Sequence, residues 1–153
     1  MNEAEKMGLK LSKHRLVSDA HTAQALIKNV FQKHGSSLNP WMLPLLKNLD
    51  MVDSTWMEVH RDGKLVACAA ALRDGEAQLG TALGLEKDLS YAYFLLMYAI
   101  LEDAFEHKVK VLRLGSGAYE FKQRLGFTRE DNNHLVLTGT NPLYRFFLRL
   151  ATV

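Results

Sequence analysis

A tyrosine and a lysine lie three residues apart in "YEFKQRLGF", residues 119–127. Phe121 and Leu125 are four residues apart and predict one buried face of a short helix, and Tyr119 and Lys122 form the stripe beside it. In a water-poor cleft, a lysine ammonium can stabilise negative charge on a carbonyl oxygen, and a tyrosine can donate a proton to a leaving group. We therefore take Tyr119 and Lys122 as candidate catalytic residues. The alternative is an ordinary amphipathic helix with a solvated lysine.

A second group of polar side chains can supply a base. In "STWMEVHR", alternation along a predicted strand puts Trp56, Glu58 and His60 on one face. An imidazole is partly neutral near pH 7 and can accept a proton. Glu58 and His60 are therefore candidate bases, and the alternative is a strand edge exposed to water. His134 is a weaker candidate.

Two other kinds of site are not indicated. The six histidines show no H-x-x-x-H or similar spacing and there is one cysteine, so no metal site is predicted. The sequence also has no G-x-S-x-G elbow, which argues against a serine hydrolase of that type.

Hydrophobic periodicity predicts the elements that must position these residues. "DAHTAQALIKNVFQKHG" predicts a first helix, and "SSLNPWMLPLLKNLD" predicts a short or kinked second one. Three antiparallel strands follow within residues 54–85, separated by Asp-Gly turns at 62–63 and 74–75. A long helix at 90–107 then leads to a strand at 109–114, the short helix, a last strand "HLVLTG" and an amphipathic tail.

The strands near residues 78–83 and 109–114 are predicted to run parallel, because the long helix between them supplies the crossover that a parallel pair needs. The order of elements predicts an α/β fold of mixed α+β type, with a central mixed sheet flanked by helices. We expect one domain over residues 1–153.

Composition restricts the class of protein. The chain has 153 residues, 48% hydrophobic and 24% charged, which are average values for soluble globular domains. A formal charge of +2 gives no dense basic patch, so no nucleic-acid partner is predicted. Cys68 is the single cysteine and is predicted to be a buried thiol in a reducing compartment. Because no apolar leader or run of ~20 apolar residues occurs, we expect a cytoplasmic protein.

The order of elements and "FKQRLGF" resemble the GNAT superfamily of N-acyltransferases over residues 54–137. Many members have a tyrosine four residues before the glycine, where this sequence has Lys122. "GSGAYEFKQRLG" is more similar to the GNAT-like branch that contains the Fem-type aminoacyltransferases and the cellulose or capsule biosynthesis acetyltransferases. The resemblance implies acyl transfer in which Lys122 stabilises the carbonyl oxygen. Tyr119 would orient the donor or protonate its leaving group.

The resemblance also implies where the donor binds. In GNAT proteins the thioester enters between the two parallel strands, which predicts a cleft between residues 81–84 and 116–119. The implied donor-binding residues are Thr81, Leu83, Gly84, Ser116 and Gly117. Glycines at positions 80, 84, 115 and 117 would let a ligand approach the backbone closely.

The usual pyrophosphate loop of this superfamily has no counterpart in "GLEKDLSYAYF". Glu86 and Asp88 bring negative charge to this junction, so we expect phosphate to be repelled. Acyl-CoA, an acyl carrier protein and aminoacyl-tRNA therefore all stay open as donors. Each would be a co-substrate rather than a permanently bound cofactor.

We accordingly predict an N-acyltransferase that moves an acyl group from a thioester donor, acyl-CoA or acyl carrier protein, to a small-molecule or peptidyl amine. The alternatives are a catalytically inactive GNAT-fold binding or accessory module, and an aminoacyl-tRNA-dependent transferase of envelope biosynthesis. The basic amphipathic tail, residues 141–153, is predicted to pack onto its own domain. Contact of this tail with a membrane surface or with a partner is the alternative, and a homodimer is a separate open prediction.

Overall fold

The computed structural model describes residues 4, 6–115 and 118–129, and the chain divides into two compact units, Met1–Gly115 and Ser116–Val153. The elements of the first unit are, in order, β1 Leu9–His14, α1 Ala20–Lys33, α2 Met42–Lys47, a 3-10 turn Leu49–Met51, β2 Ser54–Arg61, β3 Lys64–Asp74, β4 Ala77–Leu85, α3 Ser90–Glu106 and β5 Val111–Leu114. The described part of the second unit contains α4, Tyr119–Arg124.

The five strands form one sheet in the order β1-β2-β3-β4-β5. Neighbouring strands are antiparallel from β1 to β4, whereas β4 and β5 are parallel and are connected by α3. This confirms the predicted α/β fold with a mixed sheet flanked by helices, including the parallel pair. The single-domain boundary of 1–153 stays a prediction.

The turn between β2 and β3 shows why the Asp-Gly pair predicts a hairpin. Asp62 has φ 52° and Gly63 has φ 77°, and Arg61 pairs with Lys64 across the two-residue loop. Two consecutive positive φ values are those of a type I′ turn, whose twist matches that of the flanking strands. The register then shifts by one residue at a bulge between Val59 and His60, and this shift brings Glu58 opposite Cys68.

Strand β1 is an element that the sequence patterns did not predict. It pairs antiparallel with β2 at the edge of the sheet, with His14 opposite Trp56. Of its six residues only Leu9 is buried, so "LKLSKH" lacks the apolar alternation that identifies a half-buried strand. Pairing with β2 rather than local hydrophobicity makes this segment a strand.

The two faces of the sheet pack against different helices. Helices α1 and α2 cover one face in a cluster that includes Ala23, Leu26, Ile27, Met42, Leu46, Trp56, Cys68, Ala70 and Ala82. The alternate residues of the central strands point to the other face, where α3 packs; they include Met57, Val59, Ala67, Ala69 and Ala71. The alanines of β3 let helices approach closely from both sides.

Helix α1 begins where the side chain of Asp19 accepts hydrogen bonds from the backbone N–H groups of His21 and Thr22. It ends with Gly35 at φ 67°, and the N–H of Ser36 donates to the carbonyl of Phe31. A capping aspartate and a left-handed glycine are common signals for a helix start and stop. They place Ser18, the residue before the cap, over β2.

No helix within residues 6–115 and 118–129 combines the length and the apolar character needed to cross a bilayer. The predicted strand "HLVLTG", His134 and the tail 141–153 lie outside the described residues.

Candidate functional site

Among the described residues, strand β4 has strand partners on both sides at residues 77–80 and on one side at residues 81–85. Strand β5 pairs with residues 77–80, and within the described residues β3 is the one strand next to 81–85. The β3–β4 register also shifts. Thr81 pairs with Ala70 and Gly84 pairs with Cys68, so β4 has one more residue between these two pairs than β3 has. Ala82 lies in this bulge with φ 51°. A bulge at a sheet edge leaves backbone groups outside the ladder, where a ligand can bind them.

Gly84 has a packing role that the sequence analysis did not foresee. A Cβ at this position would lie 2.7 Å from Cys68 Sγ, 2.8 Å from the backbone N of Ile27 and 2.9 Å from Leu26 Cβ. The absence of a side chain at Gly84 therefore lets α1 pack on β4. Gly80 is similar, since a Cβ there would meet the side chains of Leu114 and Ile100. Packing thus gives a reason for both glycines, and the expectation that they let a ligand approach the backbone stays a prediction.

We expect Gly84→Ala to lower the free energy of unfolding by about 1–3 kcal/mol, because α1 must move away from the sheet. Gly115→Ala is the matched control, since a Cβ at Gly115 meets no heavy atom within 4 Å. That change should stay within about 0.5 kcal/mol of wild type. Urea denaturation measures both, and equal stabilities of the two variants would contradict the packing role.

The carboxylate of Glu58 is the centre of a buried polar cluster. Its side chain is 2% exposed, and its Oε1 accepts hydrogen bonds from Trp56 Nε1 at 2.7 Å and from Ser18 Oγ at 2.5 Å. The backbone N–H of Ser18 lies 3.4 Å from the same oxygen. Glu58 is therefore held in one orientation by β2 and by the segment that precedes α1.

Two histidines face the other oxygen of Glu58. His60 Nε2 lies 3.7 Å from Oε2, and His14 Nε2 lies 3.8 Å from it. The side chains of His60 and His14 are 31% and 45% exposed, so both connect the buried carboxylate with solvent. The structure thus brings the predicted residues Glu58 and His60 together. It adds His14, which sequence reasoning missed because β1 had not been recognised as a strand, and Ser18, whose contact with Glu58 spans 40 residues and leaves no local pattern.

Cys68 lies between this cluster and β4. It pairs with Glu58 on β2 and with Gly84 on β4. Strand spacing puts the backbones of Glu58 and Gly84 about 10 Å apart. Burial, followed by the charge of Glu58, raises the pKa of the Cys68 thiol, which is fully enclosed. The predicted buried structural thiol is confirmed.

Helix α4 carries the predicted residues Tyr119 and Lys122. It ends in a Schellman motif, because the N–H of Phe127 donates to the carbonyl of Lys122 and Gly126 has φ 88°. This is the reason for the glycine directly after the helix. The guanidinium of Arg129 lies 5.3 Å from the centre of the Tyr119 ring, within cation–π distance.

Lys122 is half-buried, and this burial lowers the pKa of its ammonium. Its neighbour Phe121 was predicted to lie on the buried face of the helix but is also half-buried. Phe121→Ala should therefore destabilise the protein less than truncation of a fully buried phenylalanine would. Ser116 and Gly117 lie outside the described residues. Thr81 and Leu83 lie half-buried on β4.

The junction before α3 is less acidic than its sequence implies. Glu86 Oε1 accepts a hydrogen bond from Lys64 Nζ at 2.8 Å, and Oε2 accepts one from Arg61 Nη2 at 3.3 Å. The Lys64 contact holds the pKa of Glu86 below its usual value. Two cations thus balance this carboxylate, so the predicted repulsion of phosphate is weakened. The helix itself begins at Ser90 without a side-chain cap.

A cavity of about 670 Å³ lies on the α3 side of the sheet and is lined by Lys13, His14, Arg73, Asp103 and His107 among others. Asp103, Glu106 and His107 stand close enough together to share a cation. However, Arg73 Nη1 already binds Asp103 Oδ2 at 2.6 Å, and Lys13 Nζ binds Glu106 Oε2 at 3.1 Å. The charges of both carboxylates are therefore matched by side chains of the chain itself.

Comparison with known proteins relates this architecture to one family. A family profile described as "Acetyltransferase (GNAT) domain" matches residues 2–123. No curated protein sequence matches the chain.

Several solved structures share the fold. A GCN5-related N-acetyltransferase from Ralstonia eutropha has a TM-score of 0.69 at 12% identity, covering 86% of this chain and 100% of that one. A predicted acetyltransferase from Clostridium acetobutylicum, crystallised with acetyl-CoA, has a TM-score of 0.66 at 12% identity, covering 84% and 96%. An aminoglycoside acetyltransferase from an uncultured soil metagenomic sample, in complex with sisomicin, has a TM-score of 0.63 at 13% identity, covering 90% and 99%.

Proposed function

Because this chain belongs to the acetyltransferase (GNAT) domain family, we propose that it transfers an acyl group from a thioester donor to an amine. The edge of β4 at residues 81–85, which has no strand next to it on that side within the described part of the chain, carries this proposal, since an extended ligand with amide groups can pair with strand backbone. The pantetheine arm that acyl-CoA and acyl carrier proteins share is such a ligand. The structural neighbour crystallised with acetyl-CoA supports acyl-CoA as the first donor to test.

On this proposal the bulge of β4 contacts the donor. Backbone groups at Thr81, Leu83 and Gly84 would bind the pantetheine arm. A ligand using these groups needs no side-chain pocket, which suits a segment of small and apolar residues. We retain Ser116 and Gly117 as further donor contacts on the resemblance described above.

Two electrostatic requirements of acyl transfer define the other roles. Negative charge develops on the carbonyl oxygen in the tetrahedral intermediate, and we assign its stabilisation to Lys122. We assign orientation of the donor or protonation of the leaving thiolate to Tyr119. The amine must also lose a proton, and we assign this step to His60, with Glu58 stabilising the imidazolium that forms.

Exposure supports His60 rather than Glu58 as the group that meets the amine. Glu58 is 2% exposed, whereas the His60 ring is 31% exposed and reaches solvent. A carboxylate that does not itself exchange the proton can still favour the charged form of a neighbouring imidazole. The arrangement resembles the general pattern of a base positioned by a third group.

The acceptor class follows from the same chemistry. A neutral primary or secondary amine is the nucleophile that a histidine base can generate near pH 7. The structural neighbour described as an aminoglycoside acetyltransferase in complex with sisomicin supports including aminoglycosides among the small-molecule amines to test. Peptide amines form the second class, and aminoacyl-tRNA should also be offered as a donor.

The decisive experiment is a donor and acceptor screen. Acetyl-CoA should raise the melting temperature, because a ligand that binds only the folded state stabilises it. Free thiol should then be released from acetyl-CoA only when an amine acceptor is present. Donor binding without transfer to any amine would favour a catalytically inactive binding module. Failure of acyl-CoA and acyl carrier protein to bind would refute the proposed donor site.

A further inference from the structure

Helix α3 carries apolar side chains on two sides. The side that packs on the sheet is buried and includes Ala92, Leu96, Ala99 and Ile100. A second apolar row runs along the helix at successive spacings of three, four, three and four residues. We call it the α3 stripe, and it consists of Tyr91, Phe94, Tyr98, Leu101 and Phe105. These spacings are those of the a and d positions of a coiled coil.

About half of the aromatic surface of the α3 stripe is open to solvent. The exposed fractions of its four aromatic residues run from 36% at Phe94 to 81% at Phe105, and Leu101 is half-buried. Because an aromatic side chain presents about 200 Å² when fully exposed, these four residues leave about 450 Å² uncovered. A contiguous apolar patch of this size is often an interaction site.

We propose that the α3 stripe binds the α3 stripe of a second copy of this chain, in an antiparallel two-fold pair. This inference goes beyond acyl transfer and does not depend on it. Every residue that it uses lies in one compact unit, Met1–Gly115.

The area of the stripe fits a second copy. Two copies supply about 900 Å² of aromatic surface, and the flanking side chains of Leu95 and Glu102 bring the buried total to about 1,200 Å². Specific protein interfaces begin at about this size. Tyrosine and phenylalanine are also enriched at the centres of such interfaces. We therefore expect a reversible dimer rather than a permanent one.

The spacing of the stripe gives the register of the pair. In an antiparallel pair of helices, an a position of one helix lies beside a d position of the other. Phe94 of one copy then meets Phe105 of the other copy. Tyr98 meets Leu101 in the same way, since both pairs of residues have the same midpoint in the sequence. The stripe is therefore complementary to itself, as a two-fold interface requires.

Charge on α3 favours the antiparallel direction. Glu102 and Glu106 share one ammonium group, that of Lys13, so this half of the helix keeps a net negative charge. A parallel pair would place the two acidic halves side by side, whereas an antiparallel pair separates them. It also brings Tyr91 of each copy beside the exposed Lys108 of the other, where a cation–π contact can form. The same acidic residues make an anionic membrane a poorer occupant.

Cysteine cross-linking tests the register. Phe94→Cys and Phe105→Cys proteins, prepared separately and mixed under a mild oxidant, should form a disulfide between the two variants. Neither variant alone should do so, because its two introduced thiols lie about 16 Å apart along the pair, beyond the reach of a disulfide. Cys68 is fully enclosed and is the internal control that should stay unlinked. Peptide mass spectrometry identifies the linked residues, and a disulfide of Phe105→Cys with itself would overturn the antiparallel pair.

Sedimentation equilibrium measures the association itself. Wild-type protein should approach twice the monomer mass as its concentration rises. Phe105→Glu should raise the Kd of the dimer by about thirtyfold or more, which is the effect of removing an aromatic residue at the centre of an interface. Trp41→Glu is the matched control and should leave Kd unchanged, because Trp41 is an exposed aromatic residue at the start of α2, on the opposite face of the sheet.

Two results of this measurement would overturn the proposal. One is a wild-type protein that stays monomeric at every attainable concentration, and the other is a dimer that Phe105→Glu leaves intact. Melting temperatures provide the folding control. Phe105→Glu and wild type should melt alike at a concentration where both are monomeric, since Phe105 is exposed in the single chain. A lower melting temperature of Phe105→Glu under these conditions would assign the stripe to packing within one chain and would refute the dimer.

Discussion

Lys122→Ala is expected to lower kcat by about a hundredfold or more. Removing one donor that stabilises a developing oxyanion commonly has an effect of this size. Little stability should be lost, because Lys122 is half-buried on a six-residue helix that contains no fully buried side chain. Thiol release from the acyl donor measures kcat, and thermal denaturation measures stability.

Two controls on α4 separate charge from position. Arg124→Ala removes an exposed cation from the same helix and should leave kcat unchanged. Lys122→Arg keeps the positive charge and should restore part of the activity. If Lys122→Ala and wild type turn over equally, Lys122 is an ordinary surface lysine and the assigned role is wrong.

The lowered pKa of Lys122 adds a pH dependence to this prediction. Burial disfavours the charged ammonium, so the side chain loses its charge at a lower pH than an exposed lysine. On the alkaline side, activity should therefore begin to fall at a lower pH than it would if Lys122 were fully exposed. Because the folded-state pKa lies below the unfolded one, the small destabilisation from this group is relieved as pH rises through it. Lys122→Arg should move the alkaline loss to higher pH.

Arg73→Met is expected to lower the free energy of unfolding by about 3–5 kcal/mol, the usual cost of leaving a buried charge without its partner. The Arg73 side chain is 6% exposed and binds Asp103, which is 1% exposed, at 2.6 Å. Its other bonds reach Asp53 Oδ1 at 2.7 and 3.0 Å and Thr55 Oγ1 at 2.9 Å. It therefore links α3, β2 and β3 at one end of the sheet. Urea denaturation with a constant slope measures the effect.

A double variant shows whether the buried charge is the cause. Arg73→Met/Asp103→Leu removes both charges and should be more stable than Arg73→Met alone, since apolar replacement of a whole buried pair is often tolerated. Asp53→Asn should have a small effect, because the Asp53 side chain is 68% exposed even though its bond to Arg73 lowers its pKa. This explanation would be contradicted if the loss of unfolding free energy in the double variant equalled the sum of the losses in Arg73→Met and Asp103→Leu.

Local patterns in the sequence predicted much of the architecture around the site. Asp62 and Gly63 adopt the positive φ values that their residue types favour, and Asp19 and Gly35 mark the two ends of α1. Such signals depend on a few neighbouring atoms, so they can be recognised without the rest of the fold. Strand β1 could not be recognised in this way, because its single buried residue leaves no periodic pattern.

The sequence by itself determined the mixed α/β order of elements, the shared face of Glu58 and His60, and the helical stop at Gly126, because periodicity and turn chemistry act over a few residues. Only the tertiary structure decided that His14 joins Glu58 and that Gly84 lies against α1. The same holds for the enclosure of Asp103 by Arg73. These contacts join residues 30 to 58 positions apart. Strand pairing and helix packing bring such residues together, and no local pattern records that placement.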